Sequence, residues 1–404
     1  MHRPRVVLLT AHLPFPPISG GRRREYELIR RLGDRADIDL CAISKTPQED
    51  RANAPRLEHW CRSVAVFPAL SPDAPGRRTD PWVVRRHRAP GAAEHIRTRL
   101  DEADLVHLEG FYLSQHLPLD LPVAALLVEH NVEYLLWRQR AAATARRAER
   151  ARHLLEYART LEAEIAAWKR ASIVGALTPE DREAMLQADH GLDVRLLPNG
   201  SDLRAPEPSG EDPIVLPKTP RIAFVANFAY QPNVDAALHL ARDILPRIRK
   251  AVPEVALMLV GNGPPDEVRA LAGDGIVVTG RVPSVAPYLA AADVVVCPLR
   301  VGGGAKVKIS EAIAEGKAIV TTSVGAQGLP EEASRCMRIE DRPAPLARAV
   351  VELLRDPPER RRLERAASEL AASLPTWDEA ADRVLACYQE LTTRRLRSVR
   401  GAAS

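Results

Sequence analysis

The sequence predicts an α/β protein with two doubly wound parallel-sheet domains. Short apolar runs alternate with helical segments, and this alternation stops and restarts around a stretch with five prolines at residues 205–220. A length of 404 residues is ample for two hydrophobic cores. We therefore expect a first domain at 1–204, a linker at 205–220, a second domain at 221–375, and a C-terminal helix with a basic tail at 376–404.

In the first domain, each expected strand is a short apolar run that ends in a turn or leads into a helix. Such runs lie at residues 5–10, 38–44, 64–68, 105–108, 123–129, 172–177 and 194–197. Helical segments are expected at 22–31 and at 140–170. An apolar stripe on the longer helix includes Leu154, Leu155 and Leu161.

The second domain repeats this alternation after the linker. Strands are expected at residues 222–226, 255–261, 276–279, 294–299 and 318–322, and helices at 233–251, 265–272, 283–291, 305–315 and 343–356. Two amphipathic helices follow, at 360–373 and 377–393. Ligands of doubly wound sheets bind beyond the carboxyl ends of the strands, so we expect the two domains to face each other across a ligand-binding cleft.

Charge and cysteine content exclude several classes of protein. A net charge of +4 is mildly basic and does not indicate nucleic-acid binding. The five cysteines are scattered and none has the spacing of a metal site, which favours reduced thiols and a cytoplasmic location. No apolar run is long enough for a membrane helix, and the N-terminus has the pattern of a first strand followed by a proline-rich loop.

A basic segment with one tryptophan, from Trp82 to Arg88, suggests peripheral contact with an anionic membrane surface. The alternative is that these charges form an ordinary solvated face.

A glycine triplet, Gly302 to Gly304, follows the apolar run at 294–299 and precedes Lys306, Lys308 and Glu311. A helix that begins after such a turn presents backbone N–H groups and the positive end of its dipole to an anion. Lysines add charge for phosphate oxygens, and a carboxylate suits hydroxyl groups. The alternative is a simple turn with a Lys308–Glu311 surface pair. The motif fits neither the Walker loop nor the dinucleotide fingerprint.

The first domain has its own strand–glycine–helix junction at Gly20 and Gly21, followed by three arginines. It also has a polar cluster after the run at 123–129: His130 with Glu129, Asn131 and Glu133. Polar residues at the carboxyl end of such a strand favour a functional site. The alternative for His130 is a strand-end histidine that satisfies local hydrogen bonds. His107 and Glu109 follow another strand and are weaker candidates.

These motifs together resemble the GT-B glycosyltransferases, specifically the retaining, GT4-like group. The resembling stretches are PFPPISGGRRREYELIRRLG, EHNVEY, PNGSD, FVANFAYQPNVDAALHLARDILPRI, LMLVGNGPP, GRVPSVAPYLAAADVVVCPL and GGGAKVKISEAIAEGKAIVTTSVGAQGL. The resemblance implies the GT-B fold: two Rossmann-like domains across a cleft, with C-terminal helices that cross back to the first domain. It also implies a nucleoside diphosphate sugar as donor, bound by the second domain.

Site residues follow from this resemblance by matching motif positions. Gly20, Gly21, Gly303, Gly304, Lys306 and Lys308 bind the donor diphosphate, and Arg281, Val282 and Glu311 bind the nucleoside. His130 and Lys308 are the catalytic candidates. Glu129, Asn131 and Glu133 are acceptor candidates, although the two glutamates could equally cap the following helix.

Three departures from the family pattern leave the donor sugar open. Many members carry a carboxylate where this chain has Gly303, and one branch carries arginine where this chain has Lys306. An arginine and a lysine often found early in the second domain are also not evident at 226–233.

The expected activity is transfer of a sugar to the hydroxyl of a polysaccharide, a lipid-linked sugar or a natural product. By the same resemblance it retains anomeric configuration and needs neither metal nor cofactor. Alternatives are a sugar-nucleotide epimerase or a phosphorylase on the same fold, or a non-enzymatic two-lobed sugar-binding protein. The missing fingerprint disfavours a nicotinamide dehydrogenase.

Overall fold

The structure is a computed structural model that describes residues 3–74, 79–201 and 220–402. The expected linker lies outside the described residues apart from Pro220. The chain folds into two compact units. The first contains Met1–Gly200, Gly303–Ala305 and Thr376–Ser404, and the second contains Ser201–Gly302 and Lys306–Pro375.

The first unit is built on a parallel seven-stranded sheet with the order β3-β2-β1-β4-β5-β6-β7. Its strands are β1 (Arg5–Thr10), β2 (Asp37–Ser44), β3 (Ser63–Pro68), β4 (Leu105–Glu109), β5 (Ala124–Glu129), β6 (Ile173–Ala176) and β7 (Val194–Leu196). The strand order reverses between β1 and β4. Such a switch point opens a crevice at the carboxyl ends of the two strands.

Helices cover this sheet: α1 (Gly20–Leu32), α2 (Pro47–Asn53), α3 (Trp82–Arg85), α4 (Ala92–Leu100), α5 (Glu133–Ala143), α6 (Arg147–Arg170) and α7 (Pro179–Ala188). The prediction of a single helix at 140–170 is wrong at its start, because α5 ends at Ala143 and a second helix, α6, begins at Arg147. Thr144 there has extended backbone, and its hydroxyl donates to the Arg140 carbonyl at 2.8 Å. Such side-chain bonds compete with helical ones.

The apolar stripe expected on the long helix is also only partly correct. Leu161 packs against the core of the first unit. Leu154 and Leu155, near the start of α6, are instead 47% and 51% exposed. The N-terminal half of α6 therefore presents apolar side chains to solvent.

The second unit has a parallel six-stranded sheet with the order β10-β9-β8-β11-β12-β13. Its strands are β8 (Arg221–Val225), β9 (Ala256–Val260), β10 (Ile276–Val278), β11 (Val294–Cys297), β12 (Ile319–Thr321) and β13 (Met337–Ile339). The edge strand β13 has only three residues and was not predicted from the sequence. Here the order reverses between β8 and β11, so the glycine triplet after β11 lies at a second switch point.

The helices of this unit are α8 (Gln231–His239), α9 (Leu245–Arg249), α10 (Asp266–Arg269), α11 (Ala286–Ala291), α12 (Val307–Ala314), α13 (Ser323–Ala326), α14 (Pro343–Arg355) and α15 (Pro357–Ala371). A π turn at Leu240–Ile244 joins α8 to α9, so one helix expected at 233–251 is locally widened. The prediction of two doubly wound parallel-sheet domains is confirmed.

The last helix, α16 (Trp377–Ala402), belongs to the first unit, as expected for a chain that crosses back. Trp377, Tyr388 and Leu391 are buried in the core cluster that also contains β1 and β5 side chains. The preceding helix, α15, remains in the second unit. In the described residues, no helix has the length and apolar character needed to span a bilayer.

Because α16 completes the first core, truncating its buried face is expected to destabilise that unit. Leu391→Ala removes a fully buried side chain and should lower the free energy of unfolding by about 2–5 kcal/mol. Denaturant unfolding followed by circular dichroism measures this change. Gln389→Ala, an exposed position on the same helix, is the matched control and should change stability by less than about 0.5 kcal/mol. Equal effects of the two substitutions would show that α16 is not part of the core.

Candidate active site

The first unit brings two strand-end residues together beside the switch point. Glu109 is the last residue of β4, and His130 directly follows β5. These strands are neighbours and run parallel, so their carboxyl ends meet at one edge of the sheet. The Nε2 atom of His130 lies 2.5 Å from the Oε2 atom of Glu109. Glu109, a weaker candidate in the sequence, is thus the direct partner of the histidine.

The Glu109 carboxylate is shared by further partners. Its Oε1 atom lies 3.2 Å from Nε2 of His107, and its Oε2 atom lies 3.6 Å from Nε of Arg24. The other ring nitrogen of His107 lies 2.7 Å from the Tyr388 hydroxyl on α16. A buried polar chain therefore runs from the C-terminal helix through His107 and Glu109 to His130.

Charge pairing sets the protonation of Glu109 and His130 in this buried row of polar side chains. Burial alone raises the pKa of Glu109, but the charge of Arg24 and the hydrogen bonds of His107 and His130 outweigh it and hold this pKa well below its usual range. Burial likewise lowers the pKa of His130, yet its bond to Glu109 and the charge of that carboxylate raise the pKa above its usual value. His130 is therefore held in its charged form to a higher pH than a free histidine.

Glu25 on α1 completes this group. One donor atom each from Glu25, Glu109 and His130 lies within 4.8 Å of the others, a spacing that could hold a metal ion. Each of the two carboxylates already has a close neighbour: His12 Nε2 lies 2.9 Å from Glu25 Oε2, and Arg24 Nε lies 3.6 Å from Glu109 Oε2. Burial raises the pKa of Glu25 well above its usual range. The Arg24 guanidinium beside Glu109 adds positive charge that disfavours a further cation in this group.

Gly20 and Gly21 form the first turn of α1, and Ser19 caps that helix by accepting from the Arg22 N–H at 3.4 Å. A Cβ on Gly21 would lie 3.3 Å from both Nδ1 and Cε1 of His130. The predicted glycine loop therefore passes directly beside the predicted histidine. Since Nε2 of His130 is bonded to Glu109, Nδ1 is the ring nitrogen turned toward this glycine.

The three acceptor candidates occupy different environments. Glu129 is buried, and its two oxygens accept from Trp168 Nε1 at 2.9 Å and from the Phe111 N–H at 3.3 Å. Glu133 begins α5, and its carboxyl lies 3.4 Å from the Asn131 side-chain amide. In the amide orientation that satisfies its neighbours, Asn131 donates to the Gly303 carbonyl at 2.9 Å. The side chain of Glu129 is thus used within the core, while Glu133 and Asn131 adjoin His130. Their acceptor roles stay predictions.

Gly303 and Gly304 belong to the first unit, where they lie against the loop after β5. A Cβ on Gly303 would lie 3.1 Å from Leu136 and 3.4 Å from Asn131. Gly304 has a φ of +63°, and an added Cβ would overlap the His130 carbonyl oxygen. Only glycine satisfies both constraints at this position.

The two predicted lysines lie at the start of α12 in the second unit. Lys306 is the N-cap residue and is buried, and Lys308 is in the first turn. The Lys308 ammonium donates to Asn233 Oδ1 at 2.7 Å and lies 5.8 Å from the centre of the Phe224 ring. Burial lowers the pKa of Lys308, while the charges of Cys297 and Glu311 raise it. Two cationic side chains and a helix N-terminus thus adjoin one another.

The nucleoside candidates are placed further along the same unit. Glu311 lies on α12, one turn after Lys308, where its charge acts on that ammonium group. Arg281 is exposed and Val282 half-buried in the segment after β10, where Val282 packs against the core. The binding roles of all these residues stay predictions.

The comparisons with known proteins identify the second unit. Residues 219–356 match the family model described as Glycosyl transferases group 1. The second unit therefore carries a glycosyltransferase domain of this group. The matched range contains β8 to β13, α12 and both lysines of the predicted donor site. No curated protein sequence matched the chain.

Solved glycosyltransferase structures share the fold of the whole chain. A sucrose-phosphate synthase from Thermosynechococcus elongatus has a TM-score of 0.70 at 19% identity, covering 97% of this chain and all of its own. HepE from Anabaena, solved with UDP and glucose, scores 0.66 at 17% identity and covers 96% of this chain and all of its own. WaaG, described as involved in lipopolysaccharide biosynthesis, scores 0.64 at 16% identity and covers 96% and 99%. The fold of this glycosyltransferase is therefore GT-B.

Several residues that organise the glycosyltransferase site were missed. Arg24 turns into the core of the first unit; its spacing with Leu28 and Leu32 on the buried face of α1 is a signal that could have identified it. Asn233 holds Lys308 and is itself held by a bond to the Asn227 carbonyl at 2.7 Å. No pattern in the sequence distinguishes Asn233 from an ordinary helix residue. Tyr388 is distant in sequence from His107, so nothing local linked them.

Replacing Glu109 tests whether it sets the charge of His130. Glu109→Gln removes the negative charge that raises the pKa of His130, so this pKa should fall. A pH titration of the His130 Cε1–H resonance by NMR measures it. Glu102→Gln, an exposed acid in the same unit, is the control and should leave that titration unchanged.

The same pair makes stability depend on pH with a defined sign. The folded-state pKa of His130 exceeds its unfolded value, so its contribution is complete below about pH 6.5 and is lost as pH rises through the folded value. Glu109→Gln should weaken this dependence. An unchanged His130 titration in that variant would contradict the proposed pairing.

Proposed function

We propose that this glycosyltransferase moves a sugar from a UDP-sugar to an acceptor hydroxyl. The observation that carries the proposal is the pair Lys306 and Lys308 at the N-terminus of α12, inside the range that matches the group 1 family model. A structure of HepE, which shares the fold, contains UDP-glucose. The base is therefore proposed to be uracil, while the transferred sugar stays open.

Donor binding in this proposal uses the second unit. The ammonium groups of Lys306 and Lys308 and the first N–H groups of α12 bind the diphosphate, as oxygen-rich anions bind at helix N-termini. Asn233 orients Lys308 through its side-chain oxygen. Glu311 accepts from the ribose hydroxyls, and the segment at Arg281 and Val282 lies beside the base.

Transfer in this proposal uses His130, with Gly20, Gly21, Gly303 and Gly304 allowing the donor to approach closely. With Nε2 held by Glu109, Nδ1 is directed to the space beside Gly21 and donates a hydrogen bond to the sugar or its departing phosphate. A charged imidazole there stabilises the negative charge that develops on the leaving oxygen. Asn131 and Glu133 contact the acceptor.

We propose further that transfer retains anomeric configuration and needs no metal. The bond from the anomeric carbon to the phosphate oxygen breaks, the acceptor oxygen bonds to that carbon on the same face, and its proton passes to the departing phosphate oxygen. The buried carboxylates near His130 already have other bonds: Glu109 to His130 and Glu129 to Trp168. Lysines and helix N–H groups take the role that a metal would have.

Membrane contact through Trp82 to Arg88 is part of the same proposal. The backbone N–H of Trp82 donates to the Glu156 carboxylate on α6 at 2.7 Å, so this segment adjoins the exposed Leu154 and Leu155. Arginines at 146, 147, 150 and 152 are exposed on the same stretch of α6. Apolar side chains among arginines suit an anionic lipid surface. The five cysteines are unpaired and buried, which supports a reducing, cytoplasmic compartment.

A thermal-shift panel of UDP-, GDP-, dTDP- and ADP-sugars tests the donor assignment, because a ligand that binds the native state raises the melting temperature. UDP-sugars should give the largest shift. Glu311→Gln should weaken UDP binding roughly ten- to a hundredfold, since it replaces the charged partner of the ribose hydroxyls.

Glu315→Gln, one turn further along and in the C-cap of α12, is the matched control and should leave UDP affinity unchanged. Absence of a shift with every nucleotide sugar would contradict the proposed function. Unchanged UDP affinity in Glu311→Gln would remove only that residue from the site.

A further inference from the structure

The first unit contains a group of cationic side chains that the donor site does not use. We call four of these residues the basic cluster: Arg22 from α1, Lys45 after β2, Arg86 after α3 and Arg140 on α5. They lie close enough that the charges of Arg22 and Arg86 act on Lys45 and that of Arg140 acts on Arg86. Four separate elements supply its members. Of the four cluster members, only Arg22 has a carboxylate oxygen within 4 Å of its cationic group among the described residues. This is Oδ1 of Asp50, at 3.4 Å. The cluster therefore holds more positive charge than its own carboxylates balance.

Lys45 is held by a histidine instead of an acid. Its ammonium lies 2.7 Å from His87 Nε2, and Nδ1 of the same ring lies 2.7 Å from the Val83 carbonyl. Nδ1 must donate to that carbonyl, so Nε2 carries the lone pair and accepts from Lys45. Burial of the ammonium group, followed by the charges of Arg86 and Arg22, lowers the pKa of Lys45 to about 7. An anion beside Lys45 would relieve this repulsion.

Arg86 and Arg140 are positioned by aromatic rings. The Arg86 guanidinium carbon lies 4.3 Å from the centre of the Trp82 ring, and that of Arg140 lies 4.6 Å from the centre of the Trp137 ring. The two tryptophans pack edge to face at 6.4 Å. A cation over a ring face is attracted to it without using any of its N–H donors. In the described part of the chain, neither guanidinium donates a hydrogen bond.

The basic cluster adjoins His130. Arg22 directly follows Gly21, whose Cβ position lies 3.3 Å from the His130 ring. Glu133 lies three residues after His130, and Arg140 lies two helical turns later on the same face of α5. Burial raises the pKa of Glu133, while the charges of Arg140, Arg86 and His130 all lower it. A ligand at the cluster would thus extend from the residue proposed to act in transfer.

We propose that the basic cluster binds a phosphate ester carried by the glycosyl acceptor. This inference rests on the proposed function and specifies its acceptor class. Several cations from separate elements suit a dianion, whereas a carboxylate would be matched by one arginine. The phosphate can belong to a water-soluble sugar phosphate or to a lipid.

Calorimetric binding to the full chain, with UDP at saturation to occupy the donor site, tests the proposal. Glucose 6-phosphate is compared with glucose, and vesicles of phosphatidylcholine with and without phosphatidic acid are compared with each other. We expect the phosphorylated probe of at least one pair to bind about tenfold more tightly or better. Binding of glucose 6-phosphate indicates a soluble acceptor, and binding of phosphatidic acid vesicles alone indicates a lipid-borne phosphate.

Two variants make the result specific to the basic cluster. The triple variant Lys45→Met, Arg86→Gln and Arg140→Gln should abolish the preference for the phosphorylated probe. Arg138→Gln removes an exposed arginine two residues from Arg140 on α5 and should keep it. UDP affinity and the melting temperature of the triple variant are measured as controls. Both should stay near those of the unaltered chain if its fold and donor site are intact.

Two outcomes would overturn the proposal: no preference for either phosphorylated probe, or a preference that survives in the triple variant. Failure of the proposed function is distinguishable, because it would appear as loss of UDP binding in the unaltered chain. Phosphate-ester binding without UDP binding would support the cluster and contradict the donor assignment.

Discussion

The buried carboxylate of Glu109 is the interaction on which the first unit's site depends. It is paired with Arg24 from α1, His107 from its own strand and His130 from the neighbouring strand. An isolated carboxylate in such a place would be protonated or would destabilise the fold. Three cationic or hydrogen-bonding partners make its charge tolerable, and in return its charge fixes the orientation and protonation of His130.

This arrangement also explains why a C-terminal helix belongs to the first unit. Tyr388 on α16 bonds to His107, which in turn bonds to Glu109. The helix therefore contributes both apolar core and the outer end of the polar chain. Only two side chains, His107 and Glu109, lie between Tyr388 and His130 in this path, although the two residues are far apart in sequence.

In the second unit, the charged group held by neighbouring side chains is the Lys308 ammonium. Lys308 is half-buried at a helix N-terminus, where its charge is unfavourable without an anion. Asn233 accepts from its ammonium, and the Phe224 ring lies beneath it. The hydrogen-bond partner Asn233 is neutral, while the charge of Glu311, one turn later, acts on the ammonium from a distance. The hydrogen bond therefore orients Lys308 without cancelling its charge, which suits a site whose proposed ligand is a diphosphate.

Much of this could be predicted from sequence because it is local. Apolar runs followed by glycines located the switch-point loops, and the polar residues after the run at 123–129 located His130. What could not be predicted depends on contacts between distant segments. The helical spacing of Arg24 with Leu28 and Leu32 separates it from Arg23, but nothing in the sequence says that its partner is Glu109, or that Lys45 meets His87. The break at Thr144 was missed because alanine-rich flanks have high helix propensity, and one side-chain hydrogen bond decided it.

In the proposed function, His130 acts in transfer while Lys308 binds the donor diphosphate. Single-turnover transfer and UDP affinity, measured together for His130→Ala and Lys308→Ala, test this division of roles most directly. We expect His130→Ala to lower the transfer rate about a hundredfold or more while UDP affinity stays near that of the unaltered chain. Lys308→Ala should weaken both. Transfer at the original rate in His130→Ala, or loss of its fold, would contradict the catalytic role and leave the histidine a structural residue at the end of a strand.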